Sequence, residues 1–195
     1  MILIALLAMT GCITGRSAPS KYYVLNSISD AKTNTATITD ERAIIIGVDQ
    51  VALPNYLDRP EIVTRITANK LQLGEFDVWA ENLSGSVPVI ISDNLSTLLS
   101  DYPVAIIPGM QAMQADYRVK VDVTRMDGVL GGDAVLIARW GIFGEQGRLL
   151  MTVRSIYREP TKGEDYEAYV AAHSRNIEAL SRDIAAALET LLKER

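Results

Sequence analysis

The sequence predicts an α/β fold: a single domain in which a mixed β-sheet, ending in an antiparallel meander, carries two main amphipathic helices. Three observations predict it. Tyr117, Val119, Val121 and Val123 alternate with Arg118, Lys120, Asp122 and Thr124, the period-two pattern of a strand with one wet face. Two further stretches rich in β-branched and apolar residues, Ala134 to Phe143 and Leu149 to Tyr157, follow after glycine-containing turns. Residues 83–102 and 164–193 instead space their apolar side chains by three and four, the period of a helix with one buried face.

Taken in order, the chain opens with MILIALLAMT, then Gly11 and Cys12. Spanning a bilayer takes roughly 20 apolar residues, so this run is too short for that and suits the apolar core of a secretory signal. Leu7 to Cys12 resembles the bacterial lipobox, whose cysteine is lipidated and becomes the first residue of the mature protein. Two departures are Met9, where Leu is commoner, and the lack of any Lys or Arg before the apolar run. Residues 1–11 are accordingly expected to be a signal peptide and 12–20 a lipidated tether, since TGRSAPS is small, polar and flexible. One acyl chain binds a membrane reversibly and two hold firmly, so lipidated Cys12 would be a stable anchor. Ile13 stands where an Asp would favour inner-membrane retention, which points to the outer membrane.

The body, residues 21–195, begins with a strand in Lys21 to Ile28, KYYVLNSI. Ser29 to Glu41 has scarcely any large apolar residue and reads as a loop. Ala43 to Val51 is nearly continuous apolar sequence, as expected of a central strand covered on both faces. VALPNYLDRPEIVTRIT runs from a proline-containing loop into a strand bearing Ile62, Val63 and Ile66. Gln72 to Ala80 predicts another strand, with Phe76, Val78 and Ala80 on one side and Trp79 on the other. The helix over 83–102 requires Pro88 to sit in its first turn. Val104 to Pro108 is a short strand. The meander follows, with Asp127 and Gly128 beginning its first turn, and the helix over 164–193 closes the chain with His173 inside its apolar stripe.

Composition narrows the function. The 195 residues carry 24 acidic and 19 basic side chains, a net charge of -5, with no basic cluster that could track a phosphate backbone, so nucleic acid is an improbable partner. A single cysteine and a single histidine exclude an intrachain disulfide and a thiolate metal site, and they route any histidine chemistry through His173. His173 and Ser174 are sequence neighbours that point to different helix faces, so a packed histidine is the simpler reading. Asp122, Asp127, Asp133 and Glu145 either gather at a sheet edge or are solvated strand ends. Gly128, Gly131 and Gly132 lie between strands and are turn residues, not a phosphate cradle. Trp79, Trp140, Tyr22 and Tyr23 serve the core or an interface. Nothing in the sequence calls for a cofactor.

The lipobox at Cys12, the YYVL of Tyr22 to Leu25, the LPNYLDRPEIVTR of Leu53 to Arg65 and the WAENL of Trp79 to Leu83 together resemble one family. It comprises the auxiliary lipoproteins of ABC-type, MCE-containing intermembrane lipid transport systems, the paraquat-inducible lipoproteins among them. The resemblance runs along nearly the whole chain and implies an anticodon-binding or TolB amino-terminal type of fold. It also implies an outer-membrane-anchored, periplasm-facing docking component, possessing no catalytic residue. Its partners would be an MCE-domain protein and an inner-membrane permease, with a homo-oligomer as a further option. Leu53, Pro54, Tyr56, Leu57, Asp58, Arg59 and Pro60 form either a partner surface or a rigid loop. The alternatives from other classes are an accessory of a secretion or pilus machine, and a periplasmic hydrolase using Ser174 or a carboxylate pair.

Overall fold

The computed structural model describes residues 18–28, 44–109 and 115–194. The apolar leader, Cys12, most of the tether and the Ser29 to Glu41 loop lie outside the described residues. The strands are β1 (Lys21–Tyr23), β2 (Ile44–Val48), β3 (Glu61–Thr67), β4 (Lys70–Trp79), β5 (Val104–Pro108), β6 (Tyr117–Gly128), β7 (Asp133–Phe143) and β8 (Leu149–Pro160). Helix α1 (Leu83–Leu98) separates β4 from β5, and α2 (Tyr166–Lys193) closes the chain.

The predicted mixed α/β class is what forms, with its strands divided between two sheets. A five-stranded sheet has the order β5-β2-β6-β7-β8, and a three-stranded one the order β1-β4-β3. In the larger sheet β2 runs parallel to both β5 and β6, and β6, β7 and β8 form the expected meander. Both helices lie on one face of it. Tyr157 of β8 donates to Asp183 of α2 at 2.6 Å, Asn176 of α2 donates to the Ala134 carbonyl at 3.0 Å, and Asn94 of α1 donates to Ser181 of α2 at 3.1 Å. The smaller sheet is tied to α2 where the Tyr169 hydroxyl donates to the Val63 carbonyl at 2.9 Å.

Period-two alternation explains the larger sheet. Val119, Val121, Val123, Ala138, Trp140 and Ile142 enter the core, whereas Lys120, Asp122 and Arg139 stay on the opposite face. Helix α2 starts at Asp165, whose carboxylate accepts from Ala168 N at 2.8 Å, and it buries Ile177, Leu180, Ile184 and Leu188 completely. Each such side chain stabilises the fold by about 1.5–3 kcal/mol relative to exposure. Among the described residues no helix is long and apolar enough to cross a membrane.

Four local expectations need correction. The strand expected over Lys21 to Ile28 stops at Tyr23, because the chain beyond it turns to the helices: Asn26 N donates to Ser174 Oγ at 3.1 Å and Ile28 N to Asn94 Oδ1 at 2.7 Å. The central strand β2 has strands on both sides but helices on one face only, so its half-buried Ile45 lies on the uncovered face. Asp127 and Gly128 continue β6, and the turn falls at 129–132. At Gly128 a Cβ would stand 2.1 Å from the Asp133 carbonyl oxygen, which only glycine avoids, and Gly131 supplies the turn's left-handed φ of 71°. Pro88 lies in the second turn of α1, where Asn82 is the N-cap and accepts from Ser84 N at 2.9 Å. The helix bears it because Pro88 is buried in the core and its early position leaves only the Ser84 carbonyl without its usual partner.

Candidate functional site

Leu53 to Pro60 leads from β2 to β3 and is held at several points. Asn55–Leu57 forms a short 3-10 turn in which Leu57 N donates to the Pro54 carbonyl at 2.9 Å and Asp58 N to that of Asn55 at 3.2 Å. Pro60 is secured to β4 by the 2.7 Å bond from Trp79 N to its carbonyl, and Asp58 accepts from Asn82 Nδ2 at 3.3 Å. Leu57 is buried, Leu53, Pro54 and Tyr56 are half-buried, and Asp58, Arg59 and Pro60 are exposed. Of the seven residues singled out in the sequence, three therefore present themselves to solvent. They border a shallow hollow of about 320 Å³ with Trp79, Glu81 and Asn82.

An ionic cluster that sequence reasoning missed lies beneath this loop. The Asp127 carboxylate is fully inaccessible, and it accepts from Arg65 Nε at 2.7 Å and Nη2 at 2.6 Å, from Arg125 Nε at 2.8 Å and from the Tyr56 hydroxyl at 2.9 Å. Burial alone would raise the carboxyl's pKa, but the hydrogen bonds from Arg65, Arg125 and Tyr56 outweigh it and hold the group below the ordinary carboxylate range. Burial and the Asp127 charge together push Tyr56 up to about 12, so its hydroxyl stays a donor. The loop and β3 of the small sheet are thus locked to β6 of the large one. The only sequence signal was an acidic residue, Asp127, at the end of a strand beside buried Met126 and Gly128.

The catalytic candidates are not brought together. Ser174 Oγ donates to the Val170 carbonyl at 3.1 Å while accepting from Asn26 N, so it is occupied in holding the amino-terminal segment. His173 is buried, with its ring edge-on to Tyr169 at 4.7 Å and neither nitrogen hydrogen-bonded among the described residues. Asp133 opens β7 and Glu145 follows its far end, Asp122 is exposed in mid-sheet, and Asp127 is buried in its cluster. Among the described residues no group of side chains could hold a metal ion. Both tryptophans are core residues, Trp140 donating to Ser155 Oγ at 3.1 Å. Tyr23 is half-buried and donates to Asp77 at 2.7 Å, whereas Tyr22 is 71% exposed.

The buried histidine has a measurable consequence. Burial lowers its pKa from the ordinary 6.5 to about 4, the Asp127 charge opposing only part of that. Between those values the unfolded chain binds a proton that the folded one does not, so this residue makes stability fall as pH drops from about 6.5 to about 4. At about 1.4 kcal/mol per pH unit the loss is on the order of 3 kcal/mol. Denaturant titrations at neutral pH and near pH 4.5 should show this slope in the wild type and a flatter one in His173→Leu; equal slopes would contradict the assignment.

Across the large sheet from the helices lies an open groove of about 550 Å³, bordered by Asp49, Arg118, Lys120, Arg139, Phe143 and Thr152. Arg118 is paired with Asp49 at 2.7 Å, and Lys120 reaches the same carboxylate at 3.9 Å while lying over the Phe143 ring at 4.8 Å.

Comparison with known proteins supplies the family context. Residues 23–185 match the model of a family described as the ABC-type transport auxiliary lipoprotein component. The intermembrane transport lipoprotein PqiC of Escherichia coli (strain K12) is 27% identical over 150 residues, covering 77% of this chain and 76% of PqiC, and PqiC of Shigella flexneri matches equally. Among solved structures, the crystal structure of an uncharacterized protein has a TM-score of 0.72 at 22% identity, covering 88% of this chain and 99% of the other. That of a Xanthomonas campestris protein has a TM-score of 0.67 at 16% identity, covering 85% and 93%. At these identities the two structures speak for the fold.

Proposed function

This chain belongs to the ABC-type transport auxiliary lipoprotein component family, and from that we propose that it is a lipid-anchored docking subunit of an intermembrane lipid transport system. Cys12 carries the anchor, residues 13–20 tether the domain, and the domain faces the periplasm from the outer membrane. There it engages an MCE-domain protein, which connects it to an inner-membrane permease. The observation that carries this reading is the family match over residues 23–185, supported by the similarity to an intermembrane transport lipoprotein along three quarters of both chains. The separation of His173, Ser174 and the carboxylates gives a hydrolase reading no support.

The Asp58 to Pro60 tip is the part of the Leu53 to Pro60 motif that a partner can reach. Its bonds to Trp79 and Asn82 fix its shape before contact, which limits the ordering cost of binding. Affinity purification of the full chain from detergent-solubilised membranes of its own host should recover an MCE-domain protein in near-equal amount. Arg59→Glu should lower that recovery several-fold without changing the melting temperature. Recovery of the chain alone, or with secretin or pilus subunits, would overturn the reading.

A further inference from the structure

The face of the large sheet turned away from the helices combines positive charge with apolar side chains in an acidic protein. Registers place Arg118, Lys120 and Asp122 of β6, Arg139 and Phe143 of β7, and Thr152, Arg154, Ile156 and Arg158 of β8 on this one face. Asp49 pairs closely with Arg118 and more loosely with Lys120, offsetting one of their two charges. Arg139, Arg154 and Arg158 are exposed, and among the described residues no carboxylate lies within ion-pair distance of them. Moreover, Arg139 and Arg154 are direct cross-strand partners. Like charges placed opposite each other on adjacent strands destabilise a sheet; Asp122, the β6 partner of Arg139, offsets part of this, and Arg154 and Arg158 on edge strand β8 have no carboxylate facing them in the register.

The geometry points to an acidic polypeptide segment of a protein partner as the occupant of this face. Resting on the docking role proposed above, this names a second surface and the chemistry it recognises. Arginine forks hold carboxylates in bidentate fashion, and Arg139 with Arg154 offers two forks a strand spacing apart. Phe143 and Ile156, the latter 47% exposed, supply apolar contact beside them. A second copy laid face to face would set arginines against arginines, a like-charge contact that disfavours association. A membrane is disfavoured by position: the anchored end of the chain enters the domain at Lys21 of β1, which pairs with β4 in the small sheet, and not on this face of the large one.

A photo-crosslinking residue at Thr152, which is exposed and borders the groove, tests this in the full-length protein in cells. Mass spectrometry of the adduct should identify a partner peptide rich in Asp or Glu, and the same residue at Thr190 on α2 should not capture it. Arg139→Glu combined with Arg154→Glu should cut the yield about ten-fold or more, the scale of a reversed interfacial charge. An adduct with phospholipid, with a second copy or with a segment lacking acidic residues would overturn the inference, as would no adduct. Arg139→Gln with Arg154→Gln should melt at or above the wild-type temperature; a clear drop would mean that the arginines serve the fold instead. If the MCE-domain protein still co-purifies with the double-Glu variant at full yield, this surface is wrong while the docking role stands.

Discussion

Arg65→Met is expected to destabilise the domain by about 3 kcal/mol, the scale seen when one partner of a buried ion pair is removed. Asp127 has no accessible surface and takes two of its four hydrogen bonds from Arg65, leaving Arg125 and Tyr56 after the substitution. The remaining charge would be under-compensated in a place that water does not reach. Arg65→Met combined with Asp127→Leu should recover part of the loss, because the buried charge is then gone and Arg125, with 30% of its side chain exposed, can turn to solvent. Denaturant unfolding of the two variants and Asp127→Leu closes the cycle. A loss below about 1 kcal/mol for Arg65→Met, within the range of a surface pair, would show that the cluster does not hold the two sheets together. Because the Asp127 pKa is lowered on folding, its contribution is present at neutral pH and fades below the ordinary carboxylate range. That window lies below the one set by His173, so acid titration separates them.

Cys12→Ser is expected to move the protein from the membrane fraction to the soluble fraction almost entirely. Each buried methylene contributes about 0.8 kcal/mol to membrane binding, and a pair of acyl chains holds what one chain releases. Without the thiol no thioether can form, and among the described residues neither helix has the length and apolarity of a membrane span. Fractionation with labelled palmitate distinguishes the outcomes: the wild type pellets and takes up label, the variant does neither. A variant that still pellets would place the attachment elsewhere.

Period-two and helical spacing were enough to read the meander, α1 and α2, because alternation in one face and a three-four stripe are direct products of burial on one side. Val104 to Pro108 was legible to the residue. The division into two sheets was not, because pairing of β1 with β4 and of β2 with β6 joins segments far apart in sequence, and a strand's own pattern does not name its partner. The jump in β3–β4 pairing from Glu61↔Val78 to Val63↔Leu73 is of the same kind: Gly74, where a Cβ would meet the Asp77 carbonyl at 2.6 Å, was its only sequence sign. For the candidate site, the Leu53 to Arg65 stretch was visible as a motif, and its hydrogen bonds and burial bear on the rigid-loop reading of it. Leu57, Tyr56 and Arg65 fix the loop, and Asp58 to Pro60 are left exposed at its tip. The groove and the facing arginines were missed because which residues stand opposite is a matter of register.

The account depends most on the state of the twelfth residue. Intact mass measurement of the protein purified from its native membrane should give a chain starting at Cys12 and carrying the added mass of a diacylglyceryl thioether, with or without an amide-linked acyl chain. A chain that retains residues 1–11 with an unmodified thiol at Cys12 would contradict it.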